Sequence, residues 1–107
     1  MNSMANWEDC GIPEFIRSAA IEFYIDDELY AIESNCHANC MMSAYERFGA
    51  RYMNRDKTKD RSGFVLNPSG RFVDRVEALE IAKKRNQLKD PNYDKTWLDS
   101  YAVNFRR

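Results

Sequence analysis

"GFVLNPSGRFVDRVEALEIAKK", residues 63–84, is the stretch whose reading decides the fold. Asn67-Pro68-Ser69-Gly70 has the order of a type I turn, with Asn first, Pro and its fixed φ second, and Gly last. The apolar runs on either side, around Phe64 to Leu66 and at Phe72-Val73, then read as the two strands of a hairpin. A helix follows at once. Asp74 can accept a hydrogen bond from the free N–H groups of a first turn while Glu77, three residues on, bonds back. Ala78, Ile81 and Ala82, with Leu79 beside them, supply the apolar face.

Upstream, "RSAAIEFYI" at 17–25 alternates Ala19, Ile21, Phe23 and Ile25 with Ser18, Ala20, Glu22 and Tyr24, the period of a strand with one buried face. "DDE" supplies turn residues and "LYAIE" at 29–33 returns as its partner, making a first hairpin. The period changes in "SNCHANCMMSAYERFGARY", where His37, Met41, Ala44 and Phe48 form one helical stripe. Ser34 or Asn35 is the predicted cap and Gly49 the predicted stop. "NRDKTKDRS", residues 54–62, reads as a solvated loop between the two halves.

The ends are less regular. Residues 1–15 lack a period and are broken by Gly11 and Pro13, so they are expected to form an irregular arm packing through Trp7 and Phe15. The tail carries Tyr93, Trp97, Leu98, Tyr101, Val103 and Phe105, too aromatic for a free end, and is expected to dock or to pair with another chain. The predicted fold is α+β: a small antiparallel sheet of two hairpins packed on two helices, one domain over 16–107 behind the arm. Open strand edges and unspent aromatics favour self-association.

Composition narrows the function. With 107 residues, 44% hydrophobic and 31% charged, the chain can close one modest core. Sixteen basic against 17 acidic side chains leave a net charge of −1, so no global field gathers a nucleic-acid polymer or an anionic membrane, and any anion site must be local. No apolar run has the length of a membrane span and the start lacks the pattern of a signal peptide. Three cysteines, Cys10, Cys36 and Cys40, fit reduced thiols in a cytoplasm without a structural disulfide.

"CHANC", residues 36–40, places two thiols and the one histidine together. A structural zinc needs four ligands and the third thiol is distant, so small buried cysteines at a helix start are the better account, and no metal is expected. Catalysis by Cys36 or Cys40 with His37 lacks an orienting acid. No phosphate loop, dinucleotide motif or acid–base carboxylate pair is recognisable, so no catalytic residues and no cofactor are expected. Binding is better supported. Arg71, Phe72, Asp74 and Arg75 lie where a strand meets a helix N-terminus, with Phe64 across the hairpin. Backbone N–H groups and guanidinium forks suit a phosphate, and the rings suit a base.

The same residues carry a family resemblance. "GFVLNPSGRFVDRVEALEIAKKRNQL", residues 63–88, resembles the closing segment of the phage Thoeris anti-defence proteins of the first type. The shared positions are Gly63-Phe64, Gly70 to Arg75, Glu77-Ala78, Ile81-Ala82 and Gln87-Leu88; Val76 and Arg85-Asn86 depart from the pattern. "IRSAAIEFYIDDELYAIESNCHANC" and "WLDSYAV" are similar to earlier and later parts of that family. The resemblance implies a non-enzymatic sponge in the host cytoplasm, a homo-oligomer of dimers up to hexamers that withholds a cyclic ADP-ribose isomer; some members also hold cyclic oligonucleotides. It implies ligand contacts by Phe64, Asp74 and Arg75, with His37, Arg17, Arg71 and Phe72 in support. The alternative is a phage inhibitor that blocks a host effector or nuclease by direct protein contact.

Overall fold

The computed structural model describes residues 13–106; Trp7, Cys10 and most of the arm expected over 1–15 lie outside the described residues. The fold is α+β. Strands β1 (Phe15–Ile25), β2 (Glu28–Ser34), β3 (Arg61–Asn67) and β4 (Phe72–Asp74) form one antiparallel sheet in the order β2-β1-β3-β4. Helices α1 (His37–Phe48) and α3 (Arg75–Lys84) pack on it, and a short α2 (Ala50–Met53) follows α1. Both predicted hairpins are present, and β1 joins them by pairing with β3.

The long central strand explains the core. Ala19, Ile21, Phe23 and Ile25 are buried as their alternation predicted. Ile16 is buried too, although it is out of phase with Ala19. A bulge between Ile16 and Ser18 resets the alternation: Ile16 faces Leu66 and Ser18 faces Val65, leaving Arg17 as the extra residue. These side chains share one cluster with Phe64, Leu66 and Val73 of the second hairpin, Cys40 and Ala44 of α1, and Ala78, Leu79 and Ala82 of α3. Both helices therefore cover the same face of the sheet.

Several local expectations are corrected. The first strand begins at Phe15 rather than at Arg17, because Phe15 pairs with Asn67. The buried stripe of α1 runs through His37, Cys40 and Ala44 rather than Met41, which is exposed. The small Cys40 thiol fits beneath the helix, 3.7 Å from the carbonyl of Ala19. Cys36, not Ser34 or Asn35, occupies the N-cap of α1, without a side-chain cap bond; Asn35 accepts from Asn39 instead. Gly49, at φ 57°, stops α1 as predicted.

The turn of the second hairpin is not type I. The Asn67–Pro68 peptide is cis, and the Gly70 N–H reaches back to the Leu66 carbonyl at 2.8 Å, with Gly70 at φ 75°. The charged loop ends two residues early, since Arg61 and Ser62 enter β3. Its base is tied by the Arg55 guanidinium, which donates to Asp60 and the Tyr52 carbonyl and lies 3.7 Å from the centroid of the Tyr52 ring. Asp74 caps α3 by accepting the Glu77 N–H at 2.8 Å, as predicted, but the Glu77 carboxylate is taken by Arg71 rather than bonding back.

The aromatic tail docks on its own domain. Residues 87–89 and 102–104 run antiparallel, with Lys89 N–H on the Ala102 carbonyl at 2.9 Å and Asn104 N–H on the Gln87 carbonyl at 2.6 Å. Leu98 and Val103 are buried in the core. Gln87 fastens this tail to the sheet: its Oε1 accepts the Ile16 N–H at 2.8 Å, and its Nε2 donates to the carbonyls of Ile16 and Asn104, each at 2.9 Å. One buried amide replaces a missing strand neighbour at the start of β1.

Candidate functional site

β4 runs into α3 without a loop, so Asp74 ends the strand and caps the helix while Arg75 occupies its first turn. The Arg75 side chain turns back across β3, where Nε donates to Ser62 Oγ at 3.0 Å and Nη1 to the Leu98 carbonyl at 3.3 Å. Its guanidinium carbon lies 5.5 Å from the centroid of the Trp97 ring. Among the described residues Arg75 forms no salt bridge. Burial pulls its pKa down, while Asp99 and Tyr93 act in the opposite direction.

His37 lies beside it. The first residue of α1 is buried, with its ring edge-on to Phe64 at 5.1 Å and 79°. Nε2 sits 2.8 Å from the Gly63 carbonyl and so carries the proton, which leaves Nδ1 a buried acceptor with no donor in reach among the described residues. Burial lowers the His37 pKa first; the Gly63 carbonyl opposes this, and the charge of Arg75 lowers it further. Ser100 Oγ accepts the His37 backbone N–H at 3.3 Å. Cation, neutral imidazole, hydroxyls and the partly open Trp97 ring thus meet where β3, α1, α3 and the tail converge.

The remaining predicted residues are distributed differently. Phe64 is fully buried, so it backs His37 rather than offering a stacking face. Phe72, one residue from the Phe64 partner Val73, is on the opposite face of the sheet. There it lies over Gly63, and the Arg61 guanidinium lies 4.7 Å from its ring centroid. Arg71 is engaged in ion pairs: Nη2 and Nε donate to Glu14 at 2.8 and 3.2 Å, and Nη1 to Glu77 at 2.9 Å. These bonds raise the Arg71 pKa strongly and hold Glu14 below the usual carboxylate value. Arg17 is likewise occupied, by Glu33 at 2.8 Å and Asn67 at 2.9 Å. Asp74 is occupied as a cap.

Of the seven predicted contacts, the fold therefore brings His37, Phe64 and Arg75 together and assigns Arg17, Arg71, Phe72 and Asp74 to structural partners. Ser62, Trp97 and Ser100 belong to the cluster although sequence reasoning did not select them. "WLDS" was the available signal, because Asp99 caps the short 3₁₀ turn Ser100–Ala102 that sets the tail in place.

Around "CHANC", a hydrogen bond with Tyr101 and the Asn39 N–H pull the Cys36 thiol below its ordinary pKa, while burial pushes Cys40 up to about 11. Both are free buried thiols. Among the described residues there is no group of three metal-binding side chains, and no helix is long and apolar enough to cross a membrane.

Residues 15–102 match the family model of the phage T4 y16D protein, and the chain belongs to that family. No curated protein and no solved structure matches the chain.

Proposed function

We propose, for this member of a phage protein family, that the chain is an anti-defence protein that binds and sequesters a cyclic nucleotide immune signal without cleaving it. The observation that carries the reading is Arg75, a half-buried guanidinium with no salt-bridge partner among the described residues, beside the Trp97 ring. A desolvated cation of this kind, not engaged in a salt bridge, binds an incoming phosphate with less water to displace. The adjacent ring supplies a stacking surface for a base. Similarity of residues 63–88 to the Thoeris anti-defence proteins supports a cyclic ADP-ribose isomer as the ligand and the host cytoplasm as the place of action. It also supports assembly into homo-oligomers, which slow release by enclosing the ligand.

In this reading Arg75, Trp97 and Ser62 touch the ligand, His37 offers its unpartnered Nδ1 to a ligand donor, and Phe64 holds His37 in place. A ligand that binds only the folded state raises its melting temperature, by an amount that grows with concentration. Titrating cyclic ADP-ribose isomers and cyclic di- and trinucleotides should raise the midpoint for at least one of them. Arg75→Ala should abolish that rise while keeping the far-ultraviolet spectrum. A panel without any shift, or a shift that survives Arg75→Ala, contradicts the reading.

A second reading, inhibition of a host effector or nuclease by direct protein contact, is favoured by a different surface. Ala38, Met41, Met42, Tyr45, Tyr52 and Met53 line an open groove of about 550 Å³ on α1 and α2. Methionine-rich grooves adapt to apolar helices. Stoichiometric capture of one host protein, lost on Met42→Glu and without a bound small molecule, would select this reading.

A further inference from the structure

α1 carries two apolar stripes. His37, Cys40 and Ala44 face the sheet and are buried. Ala38, Met41, Met42 and Tyr45 recur at the i, i+3, i+4, i+7 spacing of a packing face, yet all four are exposed, Met42 to 61% and Tyr45 to 56%. Met53 of α2, 51% exposed, extends the patch along the same groove. The outer face of a helix in a one-core domain is ordinarily polar, and a contiguous apolar patch there marks an interaction surface.

The stripe is complementary to itself when two helices run antiparallel. A two-fold axis midway between Met41 and Met42, perpendicular to both helices, sets Tyr45 of each copy over Ala38 of the other and Met41 against Met42. Large then faces small at both ends, and adaptable thioethers meet at the centre. Parallel packing would set Tyr45 on Tyr45 and leave a gap between the two Ala38 side chains. Centring the axis on Met42 instead would set Tyr45 against Asn39 and Ala38 against Glu46. The rim agrees with the first arrangement. Glu46 then lies beside Asn39 of the second copy and close to the positive end of that helix. Asn39 Nδ2 donates one hydrogen to Asn35 at 2.7 Å and keeps the other for this carboxylate.

We propose that the groove on α1 and α2 is filled by α1 of a second copy, giving a two-fold pair with antiparallel helices. The same patch serves both copies, as a two-fold interface requires. The half-exposed side chains and their rim bury roughly 1,000 Å² across the pair, the lower limit of a specific interface, so the pair forms reversibly. This pairing claims the groove that the second reading would give to a host protein. It supplies an interface for a homo-oligomer but uses none of Arg75, Trp97 or Ser62, so it stands or falls apart from the ligand reading.

The test uses the whole chain without ligand. Sedimentation equilibrium between about 1 μM and 1 mM should show the mass rising from one chain to two. Met42→Glu and Met42→Lys should each stay monomeric with an unchanged far-ultraviolet spectrum, because the side chain is exposed in the single chain. An equimolar mixture of the two variants should recover the pair, since the side chains at position 42 flank the axis and unlike charges then meet. Tyr45→Ala should weaken pairing roughly tenfold or more, and Ser43→Glu, on another side of α1, should leave it unchanged. A pair that survives both Met42 variants, or variants that remain monomeric when mixed, would overturn the proposal. So would a wild type that is monomeric over the whole range, and one that also takes up a host protein in this groove would favour the second reading.

Discussion

Replacing Gln87 by Met keeps the length and approximate volume of the side chain and removes its hydrogen bonds, so the cavity contribution is small. Gln87 is 1% exposed and makes three bonds: one from the Ile16 N–H and two to the carbonyls of Ile16 and Asn104. The Ile16 carbonyl keeps the Arg106 N–H at 3.0 Å, so its loss is partial. The Ile16 N–H loses its acceptor inside the protein, which costs about 1–3 kcal/mol for an unsatisfied buried donor. Adding about 1 kcal/mol for the Asn104 contact gives an expected destabilisation of about 3 kcal/mol.

Urea unfolding should then show a lower midpoint at unchanged slope, and a domain of this size should melt roughly 10–20 °C lower. Gln87→Glu separates hydrogen bonding from packing. Its carboxylate still accepts from Ile16 but faces two carbonyls with an oxygen, so it should be at least as damaging at pH 7. A loss below about 0.5 kcal/mol for both variants would refute the role assigned to Gln87.

Gly63→Ala would put a Cβ 1.9 Å from the Val73 carbonyl oxygen and 2.9 Å from the Phe72 ring, so calorimetry should show a loss of roughly 3 kcal/mol or more, or no folded state. Glu14 is held below its ordinary 4.5, first by the Arg71 hydrogen bond and then by Ser69 against the opposing effect of burial. Its contribution is full above pH 4.5 and is lost as pH falls through the lowered value, so Arg71→Gln should flatten the acid limb of the stability curve. For His37 the folded value lies below the ordinary 6.5, mainly through burial. The unfolded chain therefore takes up the proton first as pH falls below about 6.5. Wild-type stability should drop as pH falls below the ordinary 6.5, and His37→Gln should remove that slope in denaturant titrations.

Elements that are specified locally were legible in the sequence. Alternation in "RSAAIEFYI", the turn at Asp26-Asp27 and the Asp74 cap depend on neighbours within a few residues, and each formed as its chemistry dictates. Ile16 was missed because a bulge at Arg17 breaks the period, and bulges are set by the partner strand. Helical spacing alone admits either Met41 or Cys40 to the stripe of α1, and the space beneath the helix, against the Ala19 carbonyl, suits the thiol. The site followed the same division. Arg75 and His37 could be singled out from a helix start and an isolated histidine, but Trp97 joins them through a tail fastened 71 positions from Ile16 by Gln87. Arg71 and Arg17 looked equally available until Glu14, Glu77 and Glu33 were brought within reach.

The central claim is reversible sequestration, and the most direct measurement follows the fate of the ligand. The protein is saturated with the cyclic ADP-ribose isomer or cyclic oligonucleotide that raises its melting temperature, freed of excess ligand by gel filtration, heated to denature it, and the supernatant is analysed by mass spectrometry. Recovery of the intact cyclic molecule in stoichiometric amount from wild type, and none from Arg75→Ala, is the predicted result. A linearised or otherwise altered product, or equal recovery from both proteins, would contradict it.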